Sequence, residues 1–353
     1  MMGITPLTLC LTLVAQNPNW PLHSVDIQTS ELERPENQPG DPQYFNSTNC
    51  KGQFELFGFH PECAAQRNPD EIAQSVGIHV DEAWSVTIGD PNILLAVFVE
   101  DIRWNDIDLV SRWHLNRKEL PVPSVSSSAD PQEYDRNKDG VFNILDYTSV
   151  TGTTPPTLDT VIDEDLLLRQ DRGDANNNEI LDPEDLLLIY ANNKDEDQNG
   201  KVDDICGWDF IDEDAHVSSS TRTDQHINKK IRVMVAEANN NWDIAGTCPK
   251  CSVIALRTTK DEKSSVDTYL RALRYGSAIN ANIFPISNPP APENLAQTAS
   301  ITDTLLELSS DIRVLIVDAG DKHQALQRSA WTSEPSIVIG SLSKDHVEVS
   351  QAT

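Results

Sequence analysis

Basic residues are scarce in this chain: 27 lysines and arginines stand against 56 aspartates and glutamates, for a formal net charge of −29. Nucleic-acid binding runs on clustered Lys and Arg that neutralise phosphates, so that class of partner is excluded. Long apolar runs are also lacking. Beyond the N-terminus no stretch is long and apolar enough to span a bilayer. There is no G-x-G-x-x-G and no phosphate loop. The histidines are scattered, with none paired at metal-ligand spacing. Zinc is short of ligands too: "CPKC", 248–251, has half-site spacing without a second C-x-x-C or H-x-x-x-H. A thioredoxin-type motif opens a helix, whereas "SVIALR" after it reads as a strand. The pair is read as a local structural disulfide or two packed thiols. "RWHLNRKEL", 112–120, is basic but short and reads as a solvated loop.

What is abundant is acid, and it crowds between residues 130 and 215. That placement favours gathered cations over a uniformly solvating surface. "DRNKDGVFNILD", 135–146, puts side-chain oxygens at loop positions 1, 3, 5, 9 and 12: Asp135, Asn137, Asp139, Asn143 and Asp146. Val141 offers its carbonyl at position 7, Gly140 makes the sharp turn at position 6, and Phe142 is the apolar anchor. Calcium takes about six to eight oxygens, and alternate residues of a tight loop can point inward together, as in an EF-hand. "DANNNEILDPED", 174–185, repeats the spacing with Asp174, Asn176, Asn178, the Ile180 carbonyl, Asp182 and Asp185. Glu179 replaces the turn glycine and strains that loop. "IDEDLLLRQ" and "PEDLLLIYA" read as its entering and leaving helices, and the two loops are expected to share an apolar contact. A third acidic turn, "DEDQNGKVDD", 195–204, offers Asp195, Asp197, Asn199 and Asp203 around Gly200. Cys206 stands at its position 12, so calcium there is expected in a different geometry. The competing reading of all three is a set of solvated Asn/Asp/Gly turns.

Around this block the pattern is α/β. Strand candidates are 93–98, 252–257, 282–287, 312–318 and 336–340, and helical patterns run over 229–238, 264–279 and 301–309. Strands alternating with helices of this length imply a parallel sheet with right-handed crossovers. "ILLAVF", 93–98, is apolar without alternation, as in a strand covered on both faces. Glu100, Asp101, Asp106 and Asp108 follow it, and ligand sites in open α/β sheets lie off the carboxyl ends of strands. Residues 1–16, "MMGITPLTLCLTLVAQ", are read as an export signal despite the missing basic segment, the alternative being an apolar strand. Residues 17–79 are read as an irregular extension, in which Cys50 and Cys63 are a second candidate bridge.

The order of several motifs resembles the subtilisin-like serine peptidases. "DEAWSVTIGDPNILLAVFVEDIRWNDIDL" is similar to that family's opening helix, "GD" turn, "A-V-I-D-S-G" strand and "W-N-H-P-D-L". "DEDQNGKVDDICGWDF" resembles the acidic turn and "G-W-D-F" before its histidine motif, and "IRVLIVDAGDK" the strand leading to its oxyanion asparagine. The resemblance implies a three-layer parallel α/β fold over 80–127 and 206–353, C-terminally incomplete, with a calcium-loop insertion at 128–205. It also implies a triad of Asp, His and Ser with an oxyanion donor. On this sequence the acid position falls on Val99, with Glu100 and Asp101 displaced along the backbone. "H-G-T-H-V-A-G" falls on "HINKKIR": His226 matches the first histidine and Lys229 the second, which this reading takes as the catalytic position. The oxyanion asparagine falls on Asp321, and the "G-T-S-M-A" segment does not occur before Thr353. Ser341, Ser343 and Ser350 follow a strand without a nucleophile-like turn. The expectation is an exported, calcium-binding, subtilisin-like pseudopeptidase, extracellular or periplasmic, with calcium as cofactor and peptide at a residual cleft as the partner class. The alternatives are a calcium-dependent serine endopeptidase with an unrecognised catalytic segment, and a decayed gene product without activity.

Overall fold

The structure is a computed structural model that describes residues 17, 19–22, 34–46, 51–53, 56–57, 77–125, 133–150, 156–218, 226–261, 263–287, 289–312, 314–318, 329–332 and 336–339. The export signal, the Cys50–Cys63 bridge, Asp321 and the serines after residue 340 lie outside them.

Six parallel strands form the main sheet: β1 Leu94–Val99, β2 Gly207–Asp209, β3 Ser252–Arg257, β4 Ile283–Ile286, β5 Val314–Asp318 and β6 Ser336–Ile339. Their spatial order is β6-β5-β4-β1-β3-β2, so the chain adds strands on both sides of β1. This is the expected α/β fold, and every strand candidate is present. All six residues of β1 are buried. Since neighbouring side chains in a strand point to opposite faces, both faces of β1 are covered. In full register Leu94 lies opposite Ser252 and Val99 opposite Arg257. The pairing of β1 with β4 shrinks to Leu95 opposite Ile283, where Pro285 has no N–H to donate. β2 was not expected as a strand. It is three residues long, and Asp209 within it gives no apolar signal.

The helices are α1 Val80–Trp84, α2 Glu164–Leu167, α3 Pro183–Tyr190, α4 His226–Val235, α5 Val266–Ala278 and α6 Leu295–Leu308. Ser265 caps α5 by accepting from the Thr268 amide at 3.1 Å, and Phe98 of β1 packs edge-on against Tyr269 with centroids 4.9 Å apart. Two boundaries differ from the sequence pattern. α4 runs from His226 to Val235, and Asn239 and Asn241 in the turn that follows take left-handed φ of 62° and 60°. α6 starts six residues before its apolar pattern, at Leu295, because Asn294 caps it with its side chain. The helix entering the second acidic loop is one turn only, α2.

Among the described residues the inserted block has no separate core. Ile144, Leu145, Tyr147, Leu166, Leu181 and Leu186 belong to one buried cluster with Leu95, Val97 and Ile254 of the sheet. A second, smaller cluster joins Tyr44, Leu56 and Phe57 of the N-terminal extension to Trp84 of α1, Ala238 and Ala245. The segment 112–120 is not the solvated loop its basic residues suggest. Trp113, Leu115 and Leu120 are buried, and the His114 amide donates to the Val253 carbonyl at 2.8 Å. The alternation of Trp113 and Leu115 is the signal that its charges obscured. Cys248 and Cys251 form the expected local disulfide, and no described helix is long and apolar enough to cross a membrane.

Candidate metal centre

Each acidic loop is closed by its own carboxylates. In the first, Asp135 accepts from the amides of Asp139 at 3.2 Å and Gly140 at 3.0 Å, while Gly140 takes φ 90°. At the far end Asp146 accepts from Arg136 at 2.7 Å and Asn143 at 2.8 Å. Asp139 accepts from Val141 and Asn143 from Leu145, at 2.9 and 2.8 Å. Asn143 and Asp146 form a reciprocal cap on the short 3-10 turn Ile144–Tyr147. Asp146 is fully buried, and burial pushes its carboxyl up to about 7.

The second loop repeats this pattern. Asp174 accepts from Asn178 at 2.8 Å and Glu179 at 3.3 Å, and Asp185 from Asn176 at 3.1 Å and Asp182 at 2.9 Å. Glu179 makes the turn that glycine makes elsewhere, at φ 69°. Asp182 and Asp185 are both fully buried, and burial raises both carboxyls. Asn176 Oδ1, at position 3, is buried and has no hydrogen-bond donor among the described residues. Apolar residues of both loops, Ile144 and Leu145 of the first and Leu181 of the second, lie in the same core cluster, and Ile180 packs against it. The backbone bridge of the second loop runs elsewhere: Ile180 pairs with Thr157, leaving Val141 of the first loop without that partner.

The third loop departs most from the sequence expectation. Asp195 accepts from Asn199 at 3.0 Å and Gly200 at 2.8 Å, as position 1 does in the other two. Asp203 turns back to accept from Asn192 at 2.7 Å and Asn193 at 2.9 Å. Glu119, from outside the loop, enters it. Among the described residues, the acidic triplets whose ligand atoms lie within 4.8 Å of one another are Glu119 with Asp195 and Asp197, and Glu119 with Glu196 and Asp203. Sequence reasoning missed Glu119, because no local spacing connects it to the loop. Burial raises its carboxyl.

The carboxyl end of β1 is built differently. Val99 is 1% exposed. Beside it Arg257 pairs with the buried Asp209 and, at 2.9 Å, with Asp212. The guanidinium also donates to the Glu100 carbonyl at 3.0 Å. The acids after β1 are structural rather than converging on a ligand. Asp106 holds Arg232 of α4 at 2.7 Å and Asn228 at 3.2 Å. Asp108 accepts from Asn240 at 3.0 Å and from the Ile244 amide at 3.4 Å, and burial pushes it up to about 7. Lys229 lies exposed on α4, and His226 stands at that helix's first residue.

No family model matches the chain, and no curated protein matches it in sequence. Solved structures similar to it include MycP1 with its N-terminal propeptide removed, at 15% identity over 40% of this chain and 52% of that one, with a TM-score of 0.31. The nisin leader peptidase NisP from Lactococcus lactis matches at 12% identity over 41% of this chain and 51% of that one, with a TM-score of 0.33. The chain spans about half the length of each. At these values the likeness carries no argument about chemistry.

Proposed function

We propose that this chain is an exported, calcium-stabilised α/β protein on a subtilisin-like frame that has given up proteolysis. The calcium is structural and is taken by the loops 135–146 and 174–185. One observation supports this most directly: the buried Asn176 Oδ1, an acceptor at a ligand position of the second loop, meets no donor. Buried polar atoms without partners are rare and costly, and a hard cation bonds an amide oxygen directly. Asp174, Asn178, Asp182, Asp185 and the Ile180 carbonyl are the remaining ligands of that loop. Asp135, Asn137, Asp139, Val141, Asn143 and Asp146 serve the first. The missing proteolysis rests on Val99, an apolar residue where the resembled motif has its acid, enclosed beside the Arg257–Asp209 pair.

Calorimetric titration of the full chain with calcium tests the reading, beside Asp135→Ala and Asp174→Ala. Saturable binding that raises the melting temperature, with one site lost per variant, supports it. Unchanged stoichiometry in both variants overturns it. A serine-reactive fluorophosphonate probe tests the silent chemistry, and covalent labelling would restore the peptidase reading.

A further inference from the structure

The third acidic loop receives a carboxylate of which one oxygen meets no donor among the described residues. Glu119 is 5% exposed. Its Oε1 accepts from the Asp197 amide at 3.1 Å. Its Oε2 is buried and meets no donor, and one of its carboxylate oxygens lies within 4.8 Å of those of Asp195 and Asp197. Three acids converge, then, and one presents an unpartnered buried oxygen. Lys118, exposed, lies 3.9 Å from Asp197. Like charges held this close are relieved by a bound cation or by taking up a proton.

We propose that Glu119 completes a calcium site with Asp195 and Asp197, and that the bound ion clamps the segment 113–119 to the loop 195–204. The surroundings suit a clamp. Asn116 donates to Asp197 at 3.2 Å and to Asp204 at 2.8 Å, and its amide donates to the Ile205 carbonyl at 2.7 Å. Tyr275 of α5 donates to Asp204 at 2.7 Å. The three side chains offer only carboxylate oxygens in an irregular arrangement, which suits calcium better than magnesium with its demand for near-octahedral geometry. The site shares no ligand with the loops 135–146 and 174–185 and stands independently of them.

The test is equilibrium dialysis of the full chain against radioactive calcium, comparing wild type with Glu119→Gln, Asp135→Ala and Asp174→Ala. Circular dichroism checks that each variant is folded. Glutamine keeps the shape and the Oε1 acceptor but removes the charge. Loss of one ion in Glu119→Gln supports the site, and its persistence in Asp135→Ala and Asp174→Ala establishes its independence. If those two variants lose ions while Glu119→Gln keeps every ion of the wild type, this site is wrong and the proposed function stands. If Glu119→Gln alone loses an ion, this site stands and the other reading falls. No binding by the wild type overturns both. Limited proteolysis supplies a second readout, in which calcium protects residues 195–204 in the wild type and not in Glu119→Gln. Equal protection in both overturns the clamp.

Discussion

Gly207 opens β2 at φ +147°, opposite Ala255 of β3. A Cβ built there would lie 2.2 Å from the Ala255 carbonyl oxygen. Both partners are backbone in a buried parallel ladder, so neither can swing aside. Replacing Gly207 by alanine carries two costs. Holding a non-glycine residue in this backbone region costs about 1–3 kcal/mol, and forcing an extra methyl into a packed site costs about 1–3 kcal/mol. The smaller entropy of the unfolded alanine chain offsets about 0.4–1 kcal/mol. The net expectation is a loss of about 3 kcal/mol. Gly200→Ala separates the two costs, because Gly200 has φ +86° but nothing within 4 Å of its added Cβ. Only backbone strain applies there, so the loss should be about 1 kcal/mol. Urea denaturation followed by tryptophan fluorescence, with chelator present so that bound calcium does not differ, measures both. Equal losses in the two variants would refute the clash, and with it the register that seats β2 beside β3.

Three further outcomes follow from buried charge and backbone geometry. Removing Arg257 by substitution with methionine leaves the buried Asp209 without its guanidinium, and chemical denaturation should show a loss of about 3–5 kcal/mol. The raised carboxyl of Asp108 means that the folded state holds its proton more tightly than the unfolded chain. This group's contribution to stability is therefore full at about pH 4, falls as pH rises, and is gone above about pH 7. Asp108→Asn should gain stability relative to wild type between pH 5 and pH 8; a difference that does not change with pH would remove the argument. Glu179→Gly relieves left-handed strain of about 1 kcal/mol in the second loop at some cost in unfolded-state entropy. Calcium affinity measured at that loop should rise or hold, and a fall would show that the Glu179 side chain itself supports the ion.

The sheet was legible where burial on both faces leaves a continuous apolar run, as in β1 and β3. It was not legible at β2, which is held by a close backbone approach and by a buried Asp209–Arg257 pair that reads as surface charge. The Asp and Asn spacing of the first two loops was visible because every member sits within a dozen residues of chain. Glu119 was not visible, because its meeting with Asp195 and Asp197 depends on Trp113 pairing with Val253 of β3 and on the Asn116 amide donating to Ile205. The acids after β1 misled in the opposite direction. Asp106 and Asp108 sit where a ligand site is expected, yet the fold uses them to hold Arg232 and Asn240.

The position of β1 has a consequence for synthesis on the ribosome. Its neighbours, β3 and β4, both lie beyond the inserted block in sequence. A ribosome adds about 5–20 residues per second, so this most apolar strand waits on the order of ten seconds before its first partner emerges. An unpaired strand exposed for that time invites misassociation. The acidic loops that emerge in the interval close through contacts within a dozen residues, and they bring with them the leucines that later join the core with Leu95 and Val97. Those leucines have no core to enter until β1 has its neighbours, so the insertion and the strand reach their buried positions together.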